Sequence, residues 1–196
     1  ADISTCVDPC DPGPGARRWC PAGTPVKTVA LGLATSSNPT TVAVMSKMGA
    51  CSGPQTIAKI LKRMKINIPQ DQIVPAICLG TPDMSLYEMV GAYSTFANQG
   101  VYIKPSLITR IEDKNGTILY QNIPETKDVL SEEAAYVTIS LMEGVTQSGS
   151  GQRLRSKWAV NAPVYKKIIT GYPWEFTNPI AGKTGTTQNQ SDGWFM

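Results

Sequence analysis

Ile180-Ala181-Gly182-Lys183-Thr184-Gly185-Thr186-Thr187, with Gly193-Trp194-Phe195-Met196 close behind, is the stretch from which the rest of the sequence is read. Two β-prone runs flank a polar segment from Gln188 to Asp192, the pattern of two strands joined by a turn. Gly182 and Gly185 carry no side chain and leave room for a substrate backbone beside the strand. The ammonium of Lys183 and the hydroxyls of Thr184 and Thr186 are donors suited to converge on one carboxylate.

The whole chain narrows the chemistry. Its 196 residues, 41% of them hydrophobic, suffice for a buried core and one or two domains. A net charge of +3, with no run of five basic residues, gives no argument for nucleic acid as a partner. Arg153-Leu154-Arg155 reads as a solvated turn. Histidine is absent from the sequence, which removes Ser-His-Asp and Cys-His catalysis and any histidine metal site. Acyl transfer here must use lysine as base, or a carboxylate acting through water. No metal or other cofactor is expected.

Three of the five cysteines, Cys6, Cys10 and Cys20, lie in a Pro/Gly/Asp-rich opening, with Cys51 and Cys78 farther in. Zinc lacks a clear fourth ligand, and an odd count leaves one thiol unpaired in any intrachain scheme. Cys78, between Ile77 and Leu79, reads as a small buried hydrophobe. The usage is compatible with the periplasm. The sequence has no stretch of eighteen apolar residues and no signal peptide, so any membrane anchor is expected outside it.

Residues 1–25 carry too many Pro and Gly for a helix or central strand, and read as an irregular segment ahead of one domain over 26–196. Helical spacing begins at Val26. After a polar break at Thr35 to Asn38, Pro39 suits the first helical position with Asn38 as cap, and that helix reaches Met48. Another helix spans Pro54 to Lys65. Ser85-Leu86-Tyr87-Glu88 is a capping box, and Leu86, Met89, Val90, Tyr93, Phe96 and Ala97 form the stripe behind it, ended by Gly100. Asp113-Lys114-Asn115-Gly116 joins two strands as a hairpin, and Ser131 opens a helix to about Val145, broken by Gly149-Ser150-Gly151. Residues 156–179 have no clean period. Helices, a hairpin, a helix and strands make an α+β chain.

Lys-Thr-Gly is one of three signatures of serine acyl-enzymes that react with penicillin. A second, Ser-x-Asn, is met by Ser36-Ser37-Asn38 in the break between two helices. Its hydroxyl and carboxamide could face one cleft, Ser36 to pass a proton and Asn38 to hold a carbonyl. The structural alternative for Asn38 is the helix cap, and the two roles can coexist. The third signature, Ser-x-x-Lys, puts a nucleophile one helical turn before its base. No serine here has a lysine three residues later; Thr24 to Lys27 and Thr56 to Lys59 match only the spacing.

With Leu86 to Tyr93, Phe96-Ala97-Asn98 and Ile111 to Gly116 added to these motifs, the chain resembles the transpeptidase domain of class A, bifunctional penicillin-binding proteins from about Val26 to Met196. The resemblance implies the fold shared by penicillin-binding transpeptidases and serine β-lactamases: a helical subdomain plus an antiparallel sheet, incomplete in this chain. It places the hairpin over 106–120 in the same sheet as the strand over 180–187, though not beside it. It implies D,D-transpeptidation of peptidoglycan stem peptides ending in D-alanyl-D-alanine, with β-lactams as inhibitors, on the outer face of the bacterial inner membrane. Ser36, Asn38 and Lys183 are the catalytic candidates, and Thr184, Gly185, Thr186 and Thr187 the substrate-binding ones. The nucleophile, the glycosyltransferase domain and the anchor of the parent protein are expected elsewhere.

Three other assignments compete. A serine β-lactamase shares the three signatures, and a non-catalytic binding module would explain the missing nucleophile. A phosphate loop would need glycine at Thr177 and a helix after Thr184.

Overall fold

The computed structural model describes residues 27–49, 52–155, 175–187 and 193–196. Residues 1–25, Cys51 and most of 156–179 lie outside the described residues. The elements run α1 (Val29–Ala34), α2 (Asn38–Lys47), α3 (Ser52–Arg63), α4 (Leu86–Ala97), β1 (Val101–Ile103), β2 (Arg110–Glu112), β3 (Ile118–Gln121), β4 (Thr126–Asp128), α5 (Glu132–Ser148), β5 (Thr184–Thr186) and β6 (Gly193–Phe195). Short 3₁₀ turns follow α3 and α5. The chain is α+β, with helices and, among the described residues, three small antiparallel pairs, β1–β4, β2–β3 and β5–β6.

Met64, Ile66, Ala92, Tyr102 and Val129 form one buried cluster, with Ile60, Leu61, Ile68, Met84, Phe96 and Leu130 packed around it. The end of α3, α4, β1 and β4 therefore share a core. The long helix α5 packs along α1, where Ala34, Met142 and Val145 are buried.

Local chemistry sets the element boundaries. The Ser85 hydroxyl accepts the Glu88 N–H at 3.3 Å, and the Glu88 carboxylate accepts the Ser85 N–H at 2.9 Å. Both halves of the expected capping box are present. The Asp113 carboxylate accepts the Asn115 and Thr117 N–H groups at 2.8 Å each, holding the β2–β3 turn. Ser131 caps α5 through the Ala134 N–H.

Several expectations are corrected. Asn38 does not cap α2: Ser37 holds the cap position without a side-chain bond, and Asn38 is the first helical residue. The helix α5 runs three residues beyond Val145, to Ser148, and stops at the expected break at Gly149. The apolar stripe on α4 is rotated. Gly91, Ala92 and Thr95 form the buried face because Tyr102 and Pro105 lie against it, while Leu86 and Val90 are exposed. Tyr102 of β1 supplies bulk on the core side, so the helix is fully buried there only at small residues, with Phe96 packed at the edge. Among the described residues the β2–β3 hairpin and β5 each belong to their own two-stranded ladder, in keeping with the expectation that the two are not neighbours. The short strands β1 and β4 have too few residues to show a period. Cys78 is half-buried, with a free thiol that burial pushes above its ordinary pKa.

At the end of α1 the Ser36 N–H donates to Leu33 O and the Ser37 N–H to Gly32 O. This is a Schellman ending, which puts Ser36 in the left-handed position, with φ of 55°. Glycine usually stands there, because a side chain costs about 1 kcal/mol in this conformation.

Two predictions follow from these ends. Ser85→Ala should destabilise the chain by about 1 kcal/mol at neutral pH in urea unfolding. Hydrogen bonds from the Ser85 hydroxyl and its N–H lower the Glu88 pKa from 4.5. That part of the wild-type stability is present above the ordinary carboxylate range and lost as pH falls through the depressed value. The difference between wild type and variant should therefore shrink in acid; a pH-independent difference would contradict the capping box. At Ser36, glycine should be more stable than alanine by about 1 kcal/mol. Both remove the hydroxyl, and only glycine removes the strain. Equal midpoints would show that the left-handed backbone carries no cost.

Candidate active site

The Schellman ending fixes where the Ser36 side chain goes. One residue after α1 turns off, the chain enters α2 at Ser37, so Ser36 stands exposed on the corner between two helices. Behind it, the Thr40 hydroxyl donates to the Ser37 hydroxyl at 3.0 Å and accepts the Lys27 N–H at the same distance. Asn38 is exposed on the first turn of α2.

The strand β5 meets this corner from the far end of the chain. The Lys183 ammonium donates to Ser36 Oγ at 2.8 Å, across 147 residues of sequence, and to the Thr184 carbonyl at 2.7 Å. The Lys183 backbone is paired in both directions with Met196, extending the β5–β6 ladder by one residue. The ammonium is partly buried, and desolvation lowers its pKa from the ordinary 10.5. Among the described residues no carboxylate lies within salt-bridge distance of it.

Alternation along a strand sends Lys183 and Thr184 to opposite faces. Both nonetheless end at the same helix corner. The Thr184 hydroxyl shares a hydrogen bond with the Ser150 hydroxyl, and the Ser150 N–H donates to Ala34 O at 2.9 Å, two residues before Ser36. Gly149 makes this approach possible, since a Cβ there would overlap the Ala34 carbonyl. Gly149-Ser150-Gly151, which as sequence is only a helix breaker, thus ties α1 to β5. Ser150 is the residue that motif reading misses; its one signal is a hydroxyl held between two glycines.

The remaining candidates lie along the same strand. Gly185, Thr186 and Thr187 are exposed, and a Cβ on Gly185 would meet no atom within 4 Å, so space beside the strand is open there. Gly182 has a different reason. A Cβ on it would overlap the Met196 carbonyl and the Phe195 ring. It admits the neighbouring strand, not a ligand.

The structure brings Ser36, Lys183 and Thr184 to one corner, with Asn38 one helical position beyond and Thr186 farther along β5. Because Ser36 Oγ accepts from Lys183, its own proton stays available to a third group. A cation without a carboxylate neighbour, next to exposed hydroxyls, suits an anionic ligand. Among the described residues no group of three His, Cys, Asp or Glu could hold a metal, and no helix is long and apolar enough to cross a membrane.

The sequence matches the family model of the penicillin binding protein transpeptidase domain over residues 16–195. It is 29% identical over 193 residues to penicillin-binding protein 1A of Aquifex aeolicus, covering 95% of this chain and 23% of that protein. To penicillin-binding protein 1B of Escherichia coli it is 33% identical over 134 residues, covering 67% of this chain and 14% of that protein. Among solved structures, penicillin-binding protein 1A from Haemophilus influenzae superposes with a TM-score of 0.66 at 22% identity, over 94% of this chain and 31% of that one. Penicillin binding protein 3 from Mycobacterium tuberculosis, complexed with ampicillin, gives 0.62 at 20% identity, over 86% and 39%. The chain spans less than a quarter of the length of these curated relatives. By its matched family model and its curated relatives, the chain belongs to the transpeptidase domain family of class A penicillin-binding proteins.

Proposed function

We propose that this chain carries the carboxylate-binding and proton-relay part of a peptidoglycan D,D-transpeptidase site. The observation that carries the reading is the 2.8 Å contact of Lys183 with Ser36, which joins the two signatures into one corner. The substrate is a stem peptide ending in D-alanyl-D-alanine. Its terminal carboxylate is held by the hydroxyls of Thr184 and Thr186 under the potential of Lys183. Gly185 leaves room for the peptide backbone, and Thr187 extends that edge. Asn38 holds a peptide carbonyl, and the Thr186 N–H is one donor to the developing oxyanion.

In the reaction a serine oxygen bonds to the penultimate alanyl carbonyl, and the amide bond to the last alanine breaks. Ser36 delivers the proton that the leaving amine takes. An amine of a neighbouring strand then displaces the serine. The attacking serine belongs to a Ser-x-x-Lys segment, which this sequence lacks. β-Lactams occupy the same corner, and the site works on the periplasmic side of the inner membrane. The missing Ser-x-x-Lys motif gives one observation in favour of a second reading, in which the chain binds the peptide without turning it over. Nothing comparable favours hydrolysis of β-lactams.

Two outcomes are expected of the 196-residue chain. It should form no adduct with a fluorescent penicillin that survives denaturation, since losing a nucleophile elsewhere costs about 10⁶ in rate. An adduct, located by peptide mapping, would identify a nucleophile among residues assigned no such role. The chain should still bind a peptide ending in D-alanyl-D-alanine reversibly, and Lys183→Ala should weaken that binding about tenfold, the loss of one charge-assisted interaction. Equal affinities for wild type and variant would remove Lys183 from the site.

A further inference from the structure

Thr146 lies on the last turn of α5 and is fully buried. Its hydroxyl has one proton and two carbonyls within reach. Glu143 O, on its own helix, is at 3.1 Å, and Ile180 O, on the approach to β5, is at 2.7 Å. The same oxygen accepts Arg155 Nε–H at 3.1 Å. Threonines inside helices ordinarily give their proton to a carbonyl of the preceding turn. That local choice would release Ile180. A cationic donor on the oxygen occupies one lone pair and polarises the O–H, which strengthens its bond to the nearer carbonyl.

Arg155 gathers a third segment as well. Its Nη1 reaches Phe176 O at 3.5 Å, and the Phe176 N–H donates to Leu154 O at 3.0 Å. The chain that leaves at Arg155 is therefore back beside it at Phe176, four residues before Ile180. The other tether from α5 is longer: the Gly182 N–H points to Met142 O at 3.4 Å. Met142 and Thr146 stand one helical turn apart, so both tethers come from one face of α5.

Lys183 follows Ile180 by three residues, and β5 pairs only with β6 among the described residues. Between Ile180 and Lys183 the described residues hold one further tether to α5, the longer Gly182–Met142 bond, so a slip at Ile180 is only weakly resisted before it reaches Lys183. A slip of about 1 Å would stretch the 2.8 Å Lys183–Ser36 bond beyond hydrogen-bond range.

We infer that Arg155, acting through the Thr146 hydroxyl, is a positioning device that sets Lys183 against Ser36. Both residues are positioning residues for the carboxylate site, and the inference rests on the reading of that site given above. Arg155 is then not the solvated turn residue its sequence context suggests.

The test uses the 196-residue chain with labelled lysine side chains, followed by NMR, and three variants: Thr146→Val, Thr146→Ser and Arg155→Met. One readout is the titration of the Lys183 ammonium. The other is the affinity for a peptide ending in D-alanyl-D-alanine. Thr146→Val should move the Lys183 titration up toward the ordinary 10.5, because the freed ammonium regains water. It should also weaken peptide binding about five- to tenfold. Arg155→Met should shift both in the same direction by less, and Thr146→Ser should restore both. A loss of global stability alone would leave the Lys183 titration of the folded chain where it was. Folded Thr146→Val and Arg155→Met with both readouts unchanged would overturn the inference. If Thr146→Val fails to fold, Arg155→Met decides. If wild type binds no peptide, the functional reading fails while the Lys183 titration still decides this one.

Discussion

A partly buried ammonium with no carboxylate neighbour among the described residues is the constraint around which the rest of the described structure is arranged. Burying a charge is costly unless donors and acceptors replace its water. Lys183 recovers part of that cost from the Ser36 hydroxyl and the Thr184 carbonyl, both neutral. What it lacks among the described residues is an anion. A peptide carboxylate arriving at Thr184 and Thr186 would supply the counter-charge and raise the depressed pKa again, so binding and protonation favour each other.

On the proposed reading of the site, the backbone at Ser36 shows function preferred over stability. A Schellman ending needs a left-handed residue, and glycine would fit it without strain. Serine stands there instead, at φ of 55°, and its hydroxyl is the one that Lys183 touches. Strained residues persist where their surroundings over-determine them. Here the surroundings are α1 on one side and α2 on the other, with the Ser37–Thr40–Lys27 bonds behind the corner. The corner is rigid because it joins two helices, and that rigidity aims the hydroxyl.

How much of this was legible in the sequence depends on how local its cause is. The capping box at Ser85, the Asp113 turn and the Ser131 cap were readable, because each is a bond between residues two to four apart. The pairing of β5 with β6 was readable from turn chemistry and the β-prone flanks. The meeting of Ser36 with Lys183 could be suspected only by pairing two signatures, since nothing local links them. Where the cause lies across the fold, local reading went astray. Asn38 before Pro39 has cap chemistry, yet the Schellman geometry moves the cap to Ser37. Gly182 beside Lys183 suggests room for substrate, yet Phe195 fills that room. Leu86 and Val90 keep helical spacing, yet Tyr102 claims the other face of α4. Thr146, Ser150 and Arg155 carry no signature, because their work is to join segments that only the fold brings together.

Two strands alone make a marginal sheet in water. The β5–β6 ladder is one such pair among the described residues, and with its extension at Lys183 it carries Lys183, Thr184 and Thr186. Its position must therefore come from elsewhere. Ser150 fixes the Thr184 side chain, and Met142 and Thr146 hold the approach at Gly182 and Ile180. All of these anchors belong to α5 or to the corner that ends it. That helix in turn packs along α1, whose end presents Ser36. Both halves of the site are thus referred to one rigid body, and the distance between ammonium and hydroxyl is set by helix packing more than by sheet register.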